Sequence, residues 1–304
     1  MLFAQNNKAF YKKKPTIALN GELIDLGSPV VMGVLNCTPD SFYDGGAYSS
    51  DNAILTRAGQ IIEQGGRFID IGGMSTRPGA IEISVEEELN RLIPAVTKIR
   101  KEFPNAALSI DTYRAEVVSV LHAEVGDFLV NDISGGQFDD QMFLTVAALN
   151  VPYLLMHSKG KSVDMQDNPQ YKDVVKEIIL YLSHQIQKLK QFGISDILID
   201  PGFGFGKTTE HNFELLNRLD SFAIFELPIV VGLSRKSMIC KSLNIDPSES
   251  LNGTTVLNTI ALSNGCDILR VHDVKEAIEA IRLIEKTKIY KSCLKFFYLV
   301  LAFG

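Results

Sequence analysis

The 304-residue chain is 46% hydrophobic and 22% charged, the balance of a globular protein with a sizeable core. Its net charge of −6 comes with no basic block beyond Lys12-Lys13-Lys14, which argues against nucleic acid as a partner but leaves room for a small anion in a locally basic cleft. Cys37, Cys240, Cys266 and Cys293 form no C-x-x-C pair, and residues 1–14 lack the apolar stretch of a signal peptide, so the expectation is a reduced, cytoplasmic protein without a zinc site or disulfide framework.

Along the chain, Gly21 to Gly27 reads as a small hairpin or lid across one end of a domain. A first buried strand, Val30 to Leu35, ends at Asn36 and is followed by a loop and a helix over about 51–64 that stops at Gly65-Gly66. Strand two, Arg67 to Ile71, carries Asp70. Ser84-Val85-Glu86-Glu87 is a capping-box pattern opening a helix to about Glu102, with a bend or break expected near Pro94. Strand three, Leu108 to Ile110, ends in Asp111-Thr112, and a helix from about Ala115 leads to Gly126. Strand four, Phe128 to Val130, ends in Asn131-Asp132, and strand five, Tyr153 to Met156, in His157. A long amphipathic helix over about 171–192 stops at Gly193. Strand six runs from Ile197 to Asp200 and enters the glycine-rich Pro201 to Lys207. Strand seven, Ile229 to Val231, gives way to Gly232-Leu233-Ser234-Arg235-Lys236-Ser237, and a helix from about Thr254 stops at Gly265. Strand eight, Ile268 to Val271, carries Arg270, precedes His272-Asp273, and leads to a last helix over about 275–288.

Short apolar runs without alternation read as parallel strands buried on both faces. Eight such units without a linker predict a single α/β domain over residues 1–304: a (β/α)₈ TIM barrel with a short N-terminal hairpin and peripheral tails over 1–14 and 289–304. The competing architecture, an open doubly wound sheet, needs a different strand count. The apolar tail Phe296 to Phe303 is far shorter than the ~20 residues that span a bilayer, so no membrane association is expected.

Working residues of such barrels lie at the C-terminal ends of the strands. Those positions hold Asn36, Asp70, Asp111, Asn131, His157, Asp200, Lys236, Arg270 and His272. Any one could be a buried, hydrogen-bonded strand end, but nine at one mouth exceed what folding requires, since unpaired buried polar groups cost stability. Asp111, Asn131 and Asp200 suit a flat heterocycle with adjacent N–H donors, such as the amino-pyrimidinone face of a pterin or guanine. Lys236, Arg270 and His272 lie on strands seven and eight, where barrels bind phosphate, and Thr76 and Arg77 could add to that anion site. Phe205 could stack on a ring or simply pack on the core. Gly202 to Lys207 imitates a P-loop one residue short, and Gly202-x-Gly204-x-Gly206 is not the dinucleotide fingerprint. His122 and His184 fall within helices and are read as structural or solvated.

Asn36-Cys-Thr-Pro-Asp-Ser-Phe42, Gly73-Met-Ser-Thr-Arg-Pro-Gly79, Asp200-Pro-Gly-Phe-Gly-Phe-Gly-Lys207, Ser234-Arg-Lys-Ser237 and Arg270-Val-His-Asp273 resemble the motifs of the dihydropteroate synthase family, in order from about Val30 to Ile284. The resemblance implies a transferase of folate biosynthesis, target of sulfonamides, that condenses 6-hydroxymethyl-7,8-dihydropterin diphosphate with 4-aminobenzoate and releases diphosphate. By position it implies a pterin pocket of Asp111, Asn131, Asp200 and Lys236 lined by Met156 and Gly232. It implies Mg²⁺ met by Asn36, diphosphate held by Arg270 and His272, and substrate contacts at Asp70, Thr76 and Arg77. The aminobenzoate site is then expected from the loops Thr38–Gly46 and Ser75–Gly79 with Phe205, Lys236 and Ser237. It further implies catalytic roles for Asp111, Lys236, Arg270 and His272, a dissociative displacement without a covalent enzyme intermediate, and a homodimer. Met74 stands where the family has Glu, and Cys37 where Val is usual. The alternatives are a methyltetrahydrofolate–corrinoid methyltransferase, which would leave the anion motifs unexplained, and a non-catalytic pterin-binding paralogue.

Overall fold

The computed structural model describes residues 16–38, 50–74, 82–160 and 169–287. It opens with an antiparallel hairpin, β1 (Thr16–Leu19) and β2 (Glu22–Asp25). Asn20 and Gly21 turn it with φ of 52° and 72°, the left-handed pair a tight hairpin needs. The hairpin therefore begins before the glycine that marks it in the sequence.

Eight parallel strands follow: β3 (Val30–Asn36), β4 (Phe68–Gly72), β5 (Ala107–Asp111), β6 (Leu129–Asp132), β7 (Tyr153–Met156), β8 (Ile197–Asp200), β9 (Val230–Val231) and β10 (Ile268–Val271). Their order is β8-β7-β6-β5-β4-β3-β10-β9. A bridge between Ile199 and Ile229 brings the two end strands together, so the sheet nearly closes into the expected barrel.

Around it lie α1 (Ser50–Glu63), α2 (Val85–Glu102), α3 (Ala115–Val125), α4 (Met142–Leu149), α5 (Val174–Gln191), α6 (Thr209–Asn217), α7 (Ser237–Leu243), α8 (Leu251–Ser263) and α9 over residues 274–287. The Ser84 hydroxyl accepts from Glu87 N at 3.1 Å, as its cap pattern predicts. Helix α2 continues through Pro94 rather than breaking there. One missing hydrogen bond is outweighed by the buried face of Leu92, Ala95, Val96 and Ile99. Helix α5 starts at Val174 because Asp173 caps it, accepting from Lys176 N at 3.0 Å.

Alternation along each strand divides the core in two. Outward residues such as Ile69, Ile110, Val130, Leu155, Ile199 and Leu269 pack under the helices. Met32, Phe68, Ala107, Leu129, Leu154, Leu198, Val230 and Ile268, one from each barrel strand, form a separate cluster with Ile17, Leu19, Ile24 and Leu26 of the hairpin segment. Each buried aliphatic side chain is worth roughly 1.5–3 kcal/mol, so the hairpin is a stabilising plug for the N-terminal end. With that end filled by hydrocarbon, the polar strand residues gather at the other.

Candidate active site

Asp70 on β4 is fully buried. It accepts from Ser109 Oγ at 2.6 Å, from Asn131 Nδ2 at 3.1 Å and from Arg270 Nε at 2.7 Å. The same guanidinium reaches Asp111 Oδ2 through Nη2 at 2.7 Å. Register explains the meeting: Asp70 lies beside Ser109, and Asp111 beside Asn131, on neighbouring strands. Burial pushes the Asp111 carboxyl up to about 7, with Arg270 opposing and Asp70 adding to the rise. Arg270, between two carboxylates, stays charged despite its burial. A Cβ on Gly72 would lie 3.7 Å from Asn36 Oδ1 and 3.8 Å from Asp111 Oδ2. Both are ordinary contact distances, so the Asn36 amide oxygen and the Asp111 carboxylate flank Gly72 at the rim.

On the far side, Asp200 faces Met156 in register and accepts from Gly202 N at 2.7 Å. Burial raises its pKa, with Lys236 opposing. Lys236 Nζ donates to the Phe203 carbonyl and stands 4.8 Å from the Phe205 ring centroid, a cation–π distance. Burial brings its ammonium down to about 8. Gly232 lies beside both Lys236 and Arg270, its missing Cβ 3.8 and 3.9 Å from their nearest atoms.

His272 is half-buried, and burial together with Arg270 and Arg235 lowers its pKa to about 4. At neutral pH it is an uncharged hydrogen-bonding group, not a cation. Its backbone is held twice: its N donates to Ser234 Oγ at 3.2 Å, and its carbonyl accepts from Arg57 Nη2 at 2.6 Å. Arg57 also donates to the Val34 carbonyl, joining the ends of β3 and β10. Arg235, which pairs with Asp273 at 2.6 Å, takes the remaining positive residue of its motif outward.

The structure therefore gathers Asp70, Asp111, Asn131 and Arg270 into one network and sets Asp200, Lys236, Phe205, Met156 and Gly232 beside it. Ser237 is exposed on the first turn of α7. Thr76 and Arg77 lie outside the described residues, as do all of the expected loop Ser75–Gly79 and all of Thr38–Gly46 except Thr38. His157 does not join the mouth network; its ring packs edge-on to Tyr181 at 5.0 Å and meets Lys207. Met74 Sδ lies 3.6 Å from the Tyr113 hydroxyl, which also donates to Glu82 at 2.9 Å. Next to it, Arg114 pairs with the fully buried Glu88 at 2.9 Å. Ser109 was legible in the inward phase of its strand; Arg57, Glu88 and Arg114 sit in or beside helices, where nothing local marks them. Among the described residues no group of three His, Cys, Asp or Glu side chains forms a metal cage.

A family model described as "Pterin binding enzyme" matches residues 32–272. The dihydropteroate synthase of Escherichia coli K12 is 47% identical over 270 residues, covering 88% of this chain and 94% of that protein. The Yersinia pestis dihydropteroate synthase, solved as a complex with a sulfonamide drug, superposes with a TM-score of 0.84 at 40% identity, covering 90% of this chain and 99% of that one. The Xanthomonas albilineans enzyme, solved with 7,8-dihydropteroate, gives a TM-score of 0.81 at 33% identity, with 90% and 99% covered.

Proposed function

The chain belongs to the dihydropteroate synthase family, and from its barrel mouth we infer how the work of that reaction is divided among its residues. The enzyme is a transferase of folate synthesis. The C–O bond between the pterin methylene and the diphosphate breaks, the amine nitrogen of 4-aminobenzoate bonds to that carbon, and one amine proton leaves to solvent. Diphosphate departs with the electron pair of the broken bond.

Asp111, Asn131 and Asp200 accept from the N–H groups of the pterin, Lys236 donates to it, and Met156 and Gly232 line its pocket. Phe205 and Ser237 border the aminobenzoate, to which Thr76 and Arg77 also belong. Arg270 reaches the diphosphate while neutralising Asp70 and Asp111. Asp70, with no exposed surface, acts through Arg270 rather than by touching substrate. His272 contributes a neutral donor, and Arg270 with Lys236 supplies the positive charge that stabilises the leaving group. We keep the dissociative displacement. The Cys37 thiol, pushed up to about 12 by burial, is no nucleophile at neutral pH. Isolation of a covalent pterin–enzyme adduct on the reaction path would overturn this view.

Mg²⁺ fits this donor set only as an ion arriving with the diphosphate. It keeps several waters and binds through one or two protein oxygens plus substrate phosphates, and the Asn36 amide oxygen beside Gly72 offers one. Such an ion would supply neutralisation of the leaving diphosphate, with Asn36 orienting it. We also propose a homodimer through the face of α7 and α8. Leu243 and Val256, 55% and 50% exposed, and Ile260 at 40% give it an apolar surface; sedimentation as a concentration-independent monomer would refute that. No helix among the described residues is long and apolar enough to cross a membrane, and we place the protein in the cytoplasm.

The observation that carries the reading is the Asp70–Arg270–Asp111 network facing Asp200 and Lys236 across one mouth. The test is diphosphate release from the pterin diphosphate with Mg²⁺, with and without 4-aminobenzoate. Release that needs both, with dihydropteroate formed, is the expected result. Tight pterin binding without turnover would instead favour a binding paralogue.

A further inference from the structure

The loop after β8 holds a lysine that no step above uses. Lys207 is only 2% exposed, yet its Nζ meets three partners: the Gly202 carbonyl at 2.7 Å, the Phe205 carbonyl at 3.0 Å and His157 Nδ1 at 3.0 Å. An ammonium has three donors and no acceptor, so these contacts saturate it. Burial, then the charge of Lys207, holds His157 well below its ordinary pKa, leaving a neutral ring. Burial also pulls Lys207 down, with Asp200 opposing. The amine serves all three contacts in either form: it donates three times as an ammonium, or donates to the two carbonyls and accepts from a His157 Nδ1–H when neutral.

The loop is wrapped around this amine. Carbonyls 202 and 205 turn toward Lys207, while that of Phe203, one of the two between them, accepts from Lys236. Gly202 N donates to Asp200, and the Phe205 ring lies under Lys236 Nζ. Gly202, at φ +74°, admits no side chain: a Cβ there would sit 1.8 Å from the His157 carbonyl oxygen. Each group this loop sends into the mouth thus rides on backbone whose other side is tied to one amine.

We propose that Lys207 is a positioning residue, a fixed internal anchor that shapes the loop after β8 and, through Phe203 and Phe205, places Lys236 for the pterin. The proposal rests on the assignment of Lys236 to the pterin pocket. Its rival is a lysine that merely helps the barrel fold.

The test is Lys207→Met, of similar length, with calorimetric titration of 6-hydroxymethyl-7,8-dihydropterin and, separately, of inorganic diphosphate with Mg²⁺. Pterin affinity should fall at least tenfold and diphosphate affinity by less than twofold. Unchanged pterin binding overturns the proposal, and so does a parallel loss of both ligands, which marks a general defect of the fold. Should Lys207→Met not fold, His157→Phe and His157→Gln decide. Phe deletes one hydrogen-bond partner and should weaken pterin binding at least threefold, whereas Gln keeps a polar partner and should stay within twofold of the parent; equal affinities overturn the idea. Pterin binding retained in Lys236→Met would instead overturn the pocket assignment beneath it.

Discussion

Titration of the protein with 6-hydroxymethyl-7,8-dihydropterin, the substrate without its diphosphate, isolates the pterin half of the site from the ionisation of phosphate. On the proposed assignment Asp111 serves the ring N–H groups fully only as a carboxylate, and burial pushes that carboxyl up to about 7. With one proton to lose, the competent fraction falls from about nine-tenths near pH 8 to about one-tenth near pH 6, so the dissociation constant should rise roughly tenfold. Asp200, also raised by burial, can only steepen that limb. Isothermal calorimetry across this range measures it, and Asp111→Asn should bind more weakly with a shallower slope. Stability has its own sign. A raised folded-state value means that protonation of Asp111 favours the folded form. Its contribution is complete below the unfolded value of 3.8 and is lost as pH rises through about 7, so the ligand-free protein should lose this increment where ligand binding improves. Pterin affinity that changes less than twofold between about pH 8 and pH 6 would refute the reasoning.

Asp70→Asn, which leaves Arg270 with Asp111 as its remaining carboxylate, should cost about 3 kcal/mol, the low end for breaking a buried pair. At roughly 2 °C per kcal/mol in a chain of this size that is about 6 °C in Tm, read by calorimetry. Arg114→Met strands the buried Glu88 and should cost roughly 3–5 kcal/mol in urea unfolding. Because burial already raises Glu88, the deficit should shrink toward acid pH as the carboxyl takes a proton. Gly202→Ala drives a methyl into the His157 carbonyl and should cost more than ~3 kcal/mol. Gly193→Ala has a similar φ of +83° but open space around it, and should cost about 1–2 kcal/mol; equal melting temperatures would show that the clash is relieved. Pterin donors must compete with Arg270 for Asp111, so a bound pterin should free that guanidinium and tighten inorganic diphosphate at least threefold; independent binding constants would contradict this.

The barrel was readable because each strand is buried on both faces and so stands out as an uninterrupted apolar run ending in a polar residue. Its short helices were not. Helix α4 is apolar almost throughout, MFLTVAAL, and shows no 3.6-residue stripe, while α6 and α7 span only 9 and 7 residues. Site residues on strands inherit their placement from the register, which is why Asp111, Asn131 and Asp200 could be named together. Arg57 reaches carbonyls on β3 and after β10 from a helix, a connection across 215 residues of chain that leaves no local mark. His157 shows the opposite error. A polar residue at a strand end was counted toward the mouth, but the lysine seven residues beyond Asp200 offers it a buried partner, and that contact decides where the ring points.

Buried charge on this scale is costly unless paired, and the pairing explains the layout of the mouth. Asp70 and Asp111 share Arg270, Asp200 faces Lys236, and Lys207 stands behind the loop that joins them. Carboxylates collect on β4, β5 and β8, cations on β10 and in the loops after β8 and β9. A ligand that satisfies both sides must carry N–H donors at one end and negative charge at the other, which is the constitution of a pterin bearing a diphosphate. Neither half of the site can be traded for hydrocarbon without stranding the other, so the charges needed to hold the substrate are also the charges that neutralise one another in its absence.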